Sequence, residues 1–196
     1  MKKRYHAATE IGLLTSKLAQ GYFAYSAAMI ISTDARAIEL APKIEPGQIV
    51  PVGRVKHING GEHTYDFLYY LNWAKTEKVI TDELARIWFS GTLLRIGDLL
   101  AQNNYFDRAP ELELIRHLRN GIAHGNRFRI DNPDKLKKFP AFYRTSSTDP
   151  NTIKFKIGEH LIGQEVLFDF ITPADLVTML QSLGNYLTKI GDEEGA

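Results

Sequence analysis

Two histidines, two arginines and an asparagine crowd one short stretch of the chain, Glu111-Leu-Glu-Leu-Ile-Arg-His-Leu-Arg-Asn-Gly-Ile-Ala-His-Gly125. Histidine is the side chain whose ordinary pKa lies near neutrality, so it can give or take a proton at working pH. Arginine offers a planar fork of donors that fits phosphate oxygens, and the stretch holds no lysine. The chemistry these residue types could do together is proton transfer beside a bound anion.

Such groups work only if one element holds them, and the sequence supplies a helix. Pro110 is tolerated at a first helical turn, and Gly125 suits a left-handed residue just past a helix end. At about 100° per residue, Leu114, Ile115, Leu118 and Ile122 fall on one side. Glu113, Arg116, His117, Asn120, His124 and Arg127 fall on the other, within roughly 100° of arc if the helix runs that far. Arg119 sits at the border. A charged face opposite an apolar one is also what any solvated surface helix shows, so the pattern alone leaves a bland reading open.

Composition narrows the setting. With 196 residues, 44% of them hydrophobic, the chain reads as one globular domain over 1–196. The formal net charge is +1, which excludes a polycation of the histone kind. Between Arg116 and Arg144, however, eight basic residues face two acidic ones, Asp131 and Asp134. That local excess suits a polyanion held at one site, with Arg127, Arg129 and Lys137 among its cations. There is no cysteine, which excludes disulfides, thiolate catalysis and cysteine-ligated zinc. The basic start lacks the apolar core of a signal peptide, and no run approaches the ~18 apolar residues of a membrane span. A cytoplasmic protein without membrane attachment is expected.

Along the chain, a helix is expected from about Ala7 to Ser32, on Ile11, Leu14, Leu18, Tyr22, Tyr25 and Met29. Three prolines and four glycines between Pro42 and Gly61 read as a long connection. A helix from Glu62 to Lys75 would bury Tyr65, Leu68, Tyr69 and Trp73. A third, opened by Thr81-Asp-Glu-Leu and carrying Leu84, Ile87, Trp88, Leu93, Ile96 and Leu100, reads as the centre of a bundle. Pro140 to Pro150 reads as loop. Ile153, Phe155 and Ile157 alternate with lysines as a half-buried strand, and Val166–Phe170 is the expected hairpin partner. Thr172-Pro-Ala-Asp starts a last helix that runs to about Lys189, followed by a fraying tail. The fold class is mainly all-α, with a small β-hairpin inserted before the last helix.

Other chemistries lack their spacing. His57 and His63 flank Gly60-Gly61 and His6 and His160 stand alone, none in a zinc-binding pattern. His117 and His124 lie about two turns apart, too far for one ion without help. There is no Gly-x-Ser-x-Gly elbow and no Walker lysine. Neither metal nor cofactor is expected.

What remains is Arg119-Asn120-Gly121-Ile122-Ala123-His124-Gly125. An arginine followed by a polar residue, with a histidine after four intervening positions near a helix end, resembles the signature of the HEPN superfamily. These are helical-bundle proteins, many of them metal-independent endoribonucleases of toxin–antitoxin and antiviral systems. The match is sharp over about ten residues and architectural elsewhere; the Pro/Gly-rich loop and the hairpin are not general features of the superfamily. The resemblance implies that Arg119 and His124 are catalytic with Asn120 supporting them, and that two copies of the chain face each other as a homodimer. It also implies an RNA substrate and allows for an antitoxin protein. From position alone, Arg116, His117 and Arg127 are expected to guide the RNA backbone. A non-catalytic module that binds RNA or a protein through the same face is the alternative.

Overall fold

The structure is a computed structural model and describes residues 2–144 and 153–193. It is mainly helical. Among the described residues six α-helices run over Lys2–Thr33 (α1), Phe67–Thr76 (α2), Lys78–Gln102 (α3), Pro110–Ala123 (α4), Asp134–Lys138 (α5) and Pro173–Glu193 (α6). The same residues form four short strands, Val52–Lys56 (β1), Glu62–Asp66 (β2), Phe142–Arg144 (β3) and Ile153–Lys156 (β4), in two antiparallel pairs, β1 with β2 and β3 with β4. The chain divides into two compact units, one of Met1–Tyr22 with Ala85–Ala196 and one of Phe23–Leu84.

The larger unit owns the core. Ala8, Ile11 and Ala19 of α1, Phe89, Leu93, Ile96 and Leu100 of α3 and Leu176, Leu180 and Leu187 of α6 are all buried. Leu112, Leu114, Ile115 and Leu118 of α4 are fully buried with them. At Gly12 and Gly184 the α1 and α6 backbones come so close that a methyl group on Gly12 would lie 2.7 Å from the Gly184 carbonyl oxygen. At the start of α6, Thr172 and Asp175 cap each other: the threonine hydroxyl donates to the carboxylate at 2.5 Å. The expected helix start at Thr172-Pro-Ala-Asp therefore holds.

The β-hairpin before α6 also exists, with a different partner. Ile153–Lys156 pairs with Phe142–Arg144, not with Val166–Phe170. Val166 and Leu167 are consecutive buried residues, so the segment does not alternate as an edge strand must. Phe168 has φ 78°, and only isolated bridges, Arg127 with Glu165 and Leu167 with Ile171, form there. Part of the loop expected at 140–150, and the end of the tail, lie outside the described residues.

In the smaller unit several expectations need correction; α3, for one, begins at Lys78, so Thr81-Asp-Glu-Leu lies inside that helix and does not open it. The connection from Pro42 to Gly61 is not all loop, and Glu62–Asp66 is strand instead of helix. Val52 to Lys56 and Glu62 to Asp66 zip together in register around an Asn59-Gly60 turn, with Gly60 at φ 85°. The helix begins at Phe67 instead, because Asp66 accepts from the Tyr69 amide at 3.0 Å as its N-cap. The aromatic stripe expected to be core is largely exposed. Tyr69 and Trp73 stand out toward solvent and pack edge-on against Tyr70, and α2 has no buried residue.

Candidate active site

The last turns of α4 carry the residues of interest, and the sequence explains why the helix stops where it does. His124 is the C-cap residue, its amide donating to the carbonyls of Asn120 and Gly121, and Gly125 follows at φ 80°. That conformation costs glycine nothing. Beyond it the chain is clamped. The Asn126 side chain accepts from the Leu167 amide at 2.8 Å, and the Val166 amide donates to the Asn126 carbonyl at 2.9 Å. Val166 is pressed onto α4 where Gly121 stands: a Cβ on that glycine would lie 2.4 Å from a Val166 methyl. Gly121 is thus a packing residue of the motif, and its neighbours are positioned by a segment more than 40 residues away.

Arg119 is held with equal care. Its Nε and Nη2 both donate to Asp98 Oδ1, at 2.9 and 2.6 Å, and Nη1 donates to Asn120 Oδ1 at 3.2 Å. The arginine stem lies on the α3 backbone at Gly97, where a Cβ would come 2.5 Å from its Cγ. A guanidinium has five N–H donors, of which these bonds use three. The side chain keeps 34% of its surface exposed. Two donors therefore remain for an anion from outside. His124 is exposed, and its ring makes no hydrogen bond to any described residue. Sequence reasoning missed Gly97 and Asp98. The one trace of them was a Gly-Asp dipeptide inside the apolar run Leu93–Leu100.

The start of the same polar row is not open surface. Glu113 is 1% exposed, its Oε1 accepting from the Asp107 amide at 2.9 Å and its Oε2 pairing with Arg116. Arg116 also approaches Asp107 at 4.0 Å and is half-buried. The His117 ring Nε2 is buried and finds no partner among the described residues. Arg116 and His117, expected to guide the RNA backbone, are thus partly enclosed: the Asp107 turn engages that end of the face. Burial, with the neighbouring Arg116 charge adding to it, lowers the His117 pKa to about 4. Burial also raises the Glu113 carboxyl to about 7, against the pull of Arg116.

These two shifts oppose each other in the pH dependence of stability. Glu113, raised in the fold, adds stability that is complete below its unfolded pKa and lost as pH climbs through about 7. His117, depressed in the fold, adds stability that is complete above its unfolded pKa and lost as pH falls toward about 4. Between pH 7 and 5 the pair nearly cancels, so single substitutions should expose opposite slopes. Glu113→Gln should lose on the order of 2 kcal/mol of stability from pH 7 to 5, and His117→Phe should gain about as much. Urea midpoints at the two pH values decide it; parallel changes in both variants would contradict the assignment.

Arg127, Arg129 and Lys137 are exposed, but each has an acceptor at hand. Arg127 donates to the Gly163 carbonyl at 2.7 Å and lies 3.7 Å from Glu165. Arg129 sits 3.2 Å from Asp131 and Lys137 2.8 Å from Asp134. Four carboxylates from outside the 116–144 window, Asp98, Asp107, Glu113 and Glu165, pair with its arginines and reduce its excess from six positive charges to two. The basic patch is milder in three dimensions than in sequence. Among the described residues no three His, Asp or Glu side chains gather so as to hold a metal ion, and no helix is long and apolar enough to cross a membrane.

Compared with family models, with curated proteins and with solved structures, the chain matches none.

Proposed function

We propose that this chain is a metal-independent endoribonuclease with an HEPN-like helical bundle, acting as a homodimer in the cytoplasm within a toxin–antitoxin or phage-defence system. The observation that carries the proposal is the arrangement of Arg119, Asn120 and His124 at the exposed end of α4: an anchored guanidinium with two donors to spare, and an imidazole one turn on. In the reaction, the His124 imidazole takes the proton of a ribose 2′-hydroxyl, whose oxygen attacks the adjacent phosphorus. The P–O5′ bond breaks, leaving a 2′,3′-cyclic phosphate on one fragment and, after protonation, a 5′-hydroxyl on the other. Arg119 holds the phosphoryl oxygens as negative charge builds on them. Asn120 orients the guanidinium. One α4 provides one such set, and the homodimer supplies the second histidine that can protonate the leaving oxygen.

Asp98 is a positioning residue in this scheme. Asp98→Ala should slow cleavage about ten- to a hundred-fold by letting the guanidinium drift, with little change in KM. Asp98→Asn keeps an acceptor oxygen and should recover most of the rate. Equal loss in both variants would show that the negative charge matters and not the position.

One observation favours the alternative, a non-catalytic module that binds RNA or a protein such as an antitoxin: Asp98 competes with any phosphate for Arg119. The test of the proposal is incubation of the purified protein with mixed RNA in EDTA. Fragments ending in 2′,3′-cyclic phosphate support the enzyme; retention of intact RNA without cutting supports the module.

A further inference from the structure

At the end of α4 far from Arg119 and His124, a cavity of about 200 Å³ opens between the first turn of that helix, β3 and α6. Its floor is apolar: Met179 is 1%, Leu183 3% and Tyr143 6% exposed. Its rim is polar, with Glu111 from α4, Arg144 from β3 and Ser182 from α6. These polar groups are not spent on the fold. The side chains of Tyr143, Glu111 and Ser182 hydrogen-bond to no described residue, and neither Glu111 nor Arg144 has an ionic partner. The Arg144 guanidinium lies over the Phe142 ring, 4.9 Å from its centre, a contact with the ring face that leaves the in-plane N–H donors open to an acceptor. A tyrosine so nearly buried with its hydroxyl unbonded is uncommon, because such groups are normally satisfied. The strand is also irregular here. Its register with β4 slips between Tyr143 and Arg144, and a bulge of this kind re-aims side chains that alternation would send to opposite faces. Both neighbours border the cavity. An acid in a first helical turn suits the helix dipole, but that gives no reason for the tyrosine or the arginine.

We propose that this cavity binds a free α-amino acid with an aromatic side chain. Size comes first. An apolar cavity of roughly 150 Å³ holds one benzene ring and drug-sized sites begin near ~300 Å³, so about 200 Å³ takes one ring and a few further atoms. The floor suits a ring, because the Met179 thioether and the Tyr143 ring are both favourable neighbours for an aromatic group. The rim sets the charges. One carboxylate and one guanidinium border the same small cavity without pairing, which fits a ligand that carries both signs. Its ammonium lies toward Glu111, and its carboxylate accepts from the Arg144 guanidinium and from the Tyr143 hydroxyl across the bulge. A nucleotide fits poorly: its sugar and phosphate exceed the volume, and its negative charge would meet Glu111.

The binding site does not depend on the catalytic proposal, and titration calorimetry of the full chain with L-phenylalanine tests it. A Kd below about 1 mM is expected for a ligand of about a dozen non-hydrogen atoms. Phenethylamine, which lacks the carboxylate, and 3-phenylpropionate, which lacks the amine, should each bind at least about tenfold more weakly. Variants should separate the two charges. Glu111→Gln should weaken L-phenylalanine about tenfold and leave 3-phenylpropionate unchanged, and Arg144→Gln should weaken L-phenylalanine and leave phenethylamine unchanged. Glu111 and Arg144 both keep solvent contact, so neither change opens the core. Should either misfold, Tyr143→Phe removes a single oxygen and should still weaken L-phenylalanine several-fold. Location is read independently. The chain has three methionines, and L-phenylalanine should shift the Met179 methyl resonance while those of Met1 and Met29 stay in place. Absence of both heat and a Met179 shift well above that concentration would overturn the proposal. So would binding that ignores all three variants, or adenosine monophosphate binding more tightly than L-phenylalanine at the Met179 resonance.

Discussion

His124→Ala is expected to abolish RNA cleavage, lowering the rate by about 10²–10⁴, the usual contribution of a positioned general base. The protein should otherwise be unchanged. His124 is an exposed helix-cap residue whose backbone, not its ring, makes the capping bonds, so truncation opens no core cavity. Arg119→Ala should cost about 10²–10³ by removing a fixed donor from the developing charge. If both groups serve one transition state, as proposed, the two losses should not add fully in the double variant. A structural role predicts the reverse pattern. If Arg119 merely tied α4 to α3 through Asp98, its loss would lower the melting temperature and leave cleavage per folded molecule intact.

The second large effect concerns stability and the crossing of α1 with α6. Gly12→Ala and Gly184→Ala should each destabilise by about 2–3 kcal/mol, or about 5–10 °C in melting temperature. The reason is backbone crowding. A Cβ on Gly12 would meet the Thr188 amide nitrogen at 2.8 Å and the Gly184 carbonyl oxygen at 2.7 Å, and a Cβ on Gly184 would meet Ser16 Oγ at 2.2 Å. Neither helix can yield without moving core side chains. Gly91 is the internal control: it lies in α3 with nothing within 4 Å of a Cβ, so Gly91→Ala should stabilise by about 0.5–1 kcal/mol. Thermal melts of the three variants give opposite signs if close approach, and not helix propensity, governs the crossing.

Some of this was legible in the residues and some was not. Both ends of α4 could be read from Pro110 and Gly125, and its buried stripe from Leu114, Ile115 and Leu118. The cap of α6 could be read from four residues. These signals are local, and the forces behind them act within one turn. The β1–β2 hairpin is hidden because Pro51, Gly53 and Gly60 read as punctuation, while the Asn59-Gly60 turn between β-prone segments is the stronger signal. The partner of β4 could not be chosen from alternation alone, since pairing depends on what else the Val166–Phe170 segment must touch.

Periodicity misled in two ways. It marked Glu113, Arg116 and His117 as an open polar face, whereas the Asp107 turn folds back onto them. It marked Tyr69 and Trp73 as core, whereas they are exposed. A stripe tells which face is apolar and leaves open what covers it. For the candidate site, spacing within one helix marks Arg119, Asn120 and His124, but Asp98, 21 positions away, joins them only through the packing of α3 on α4 at Gly97.

End-group analysis decides whether Arg119 and His124 cut RNA without a metal. Purified protein is incubated with a defined RNA in excess EDTA, and the fragments are resolved by mass spectrometry alongside His124→Ala. The wild type should yield 2′,3′-cyclic phosphate and 5′-hydroxyl ends, and the variant should leave the RNA intact. Cleavage that stops in EDTA, or that persists undiminished without His124, would contradict it.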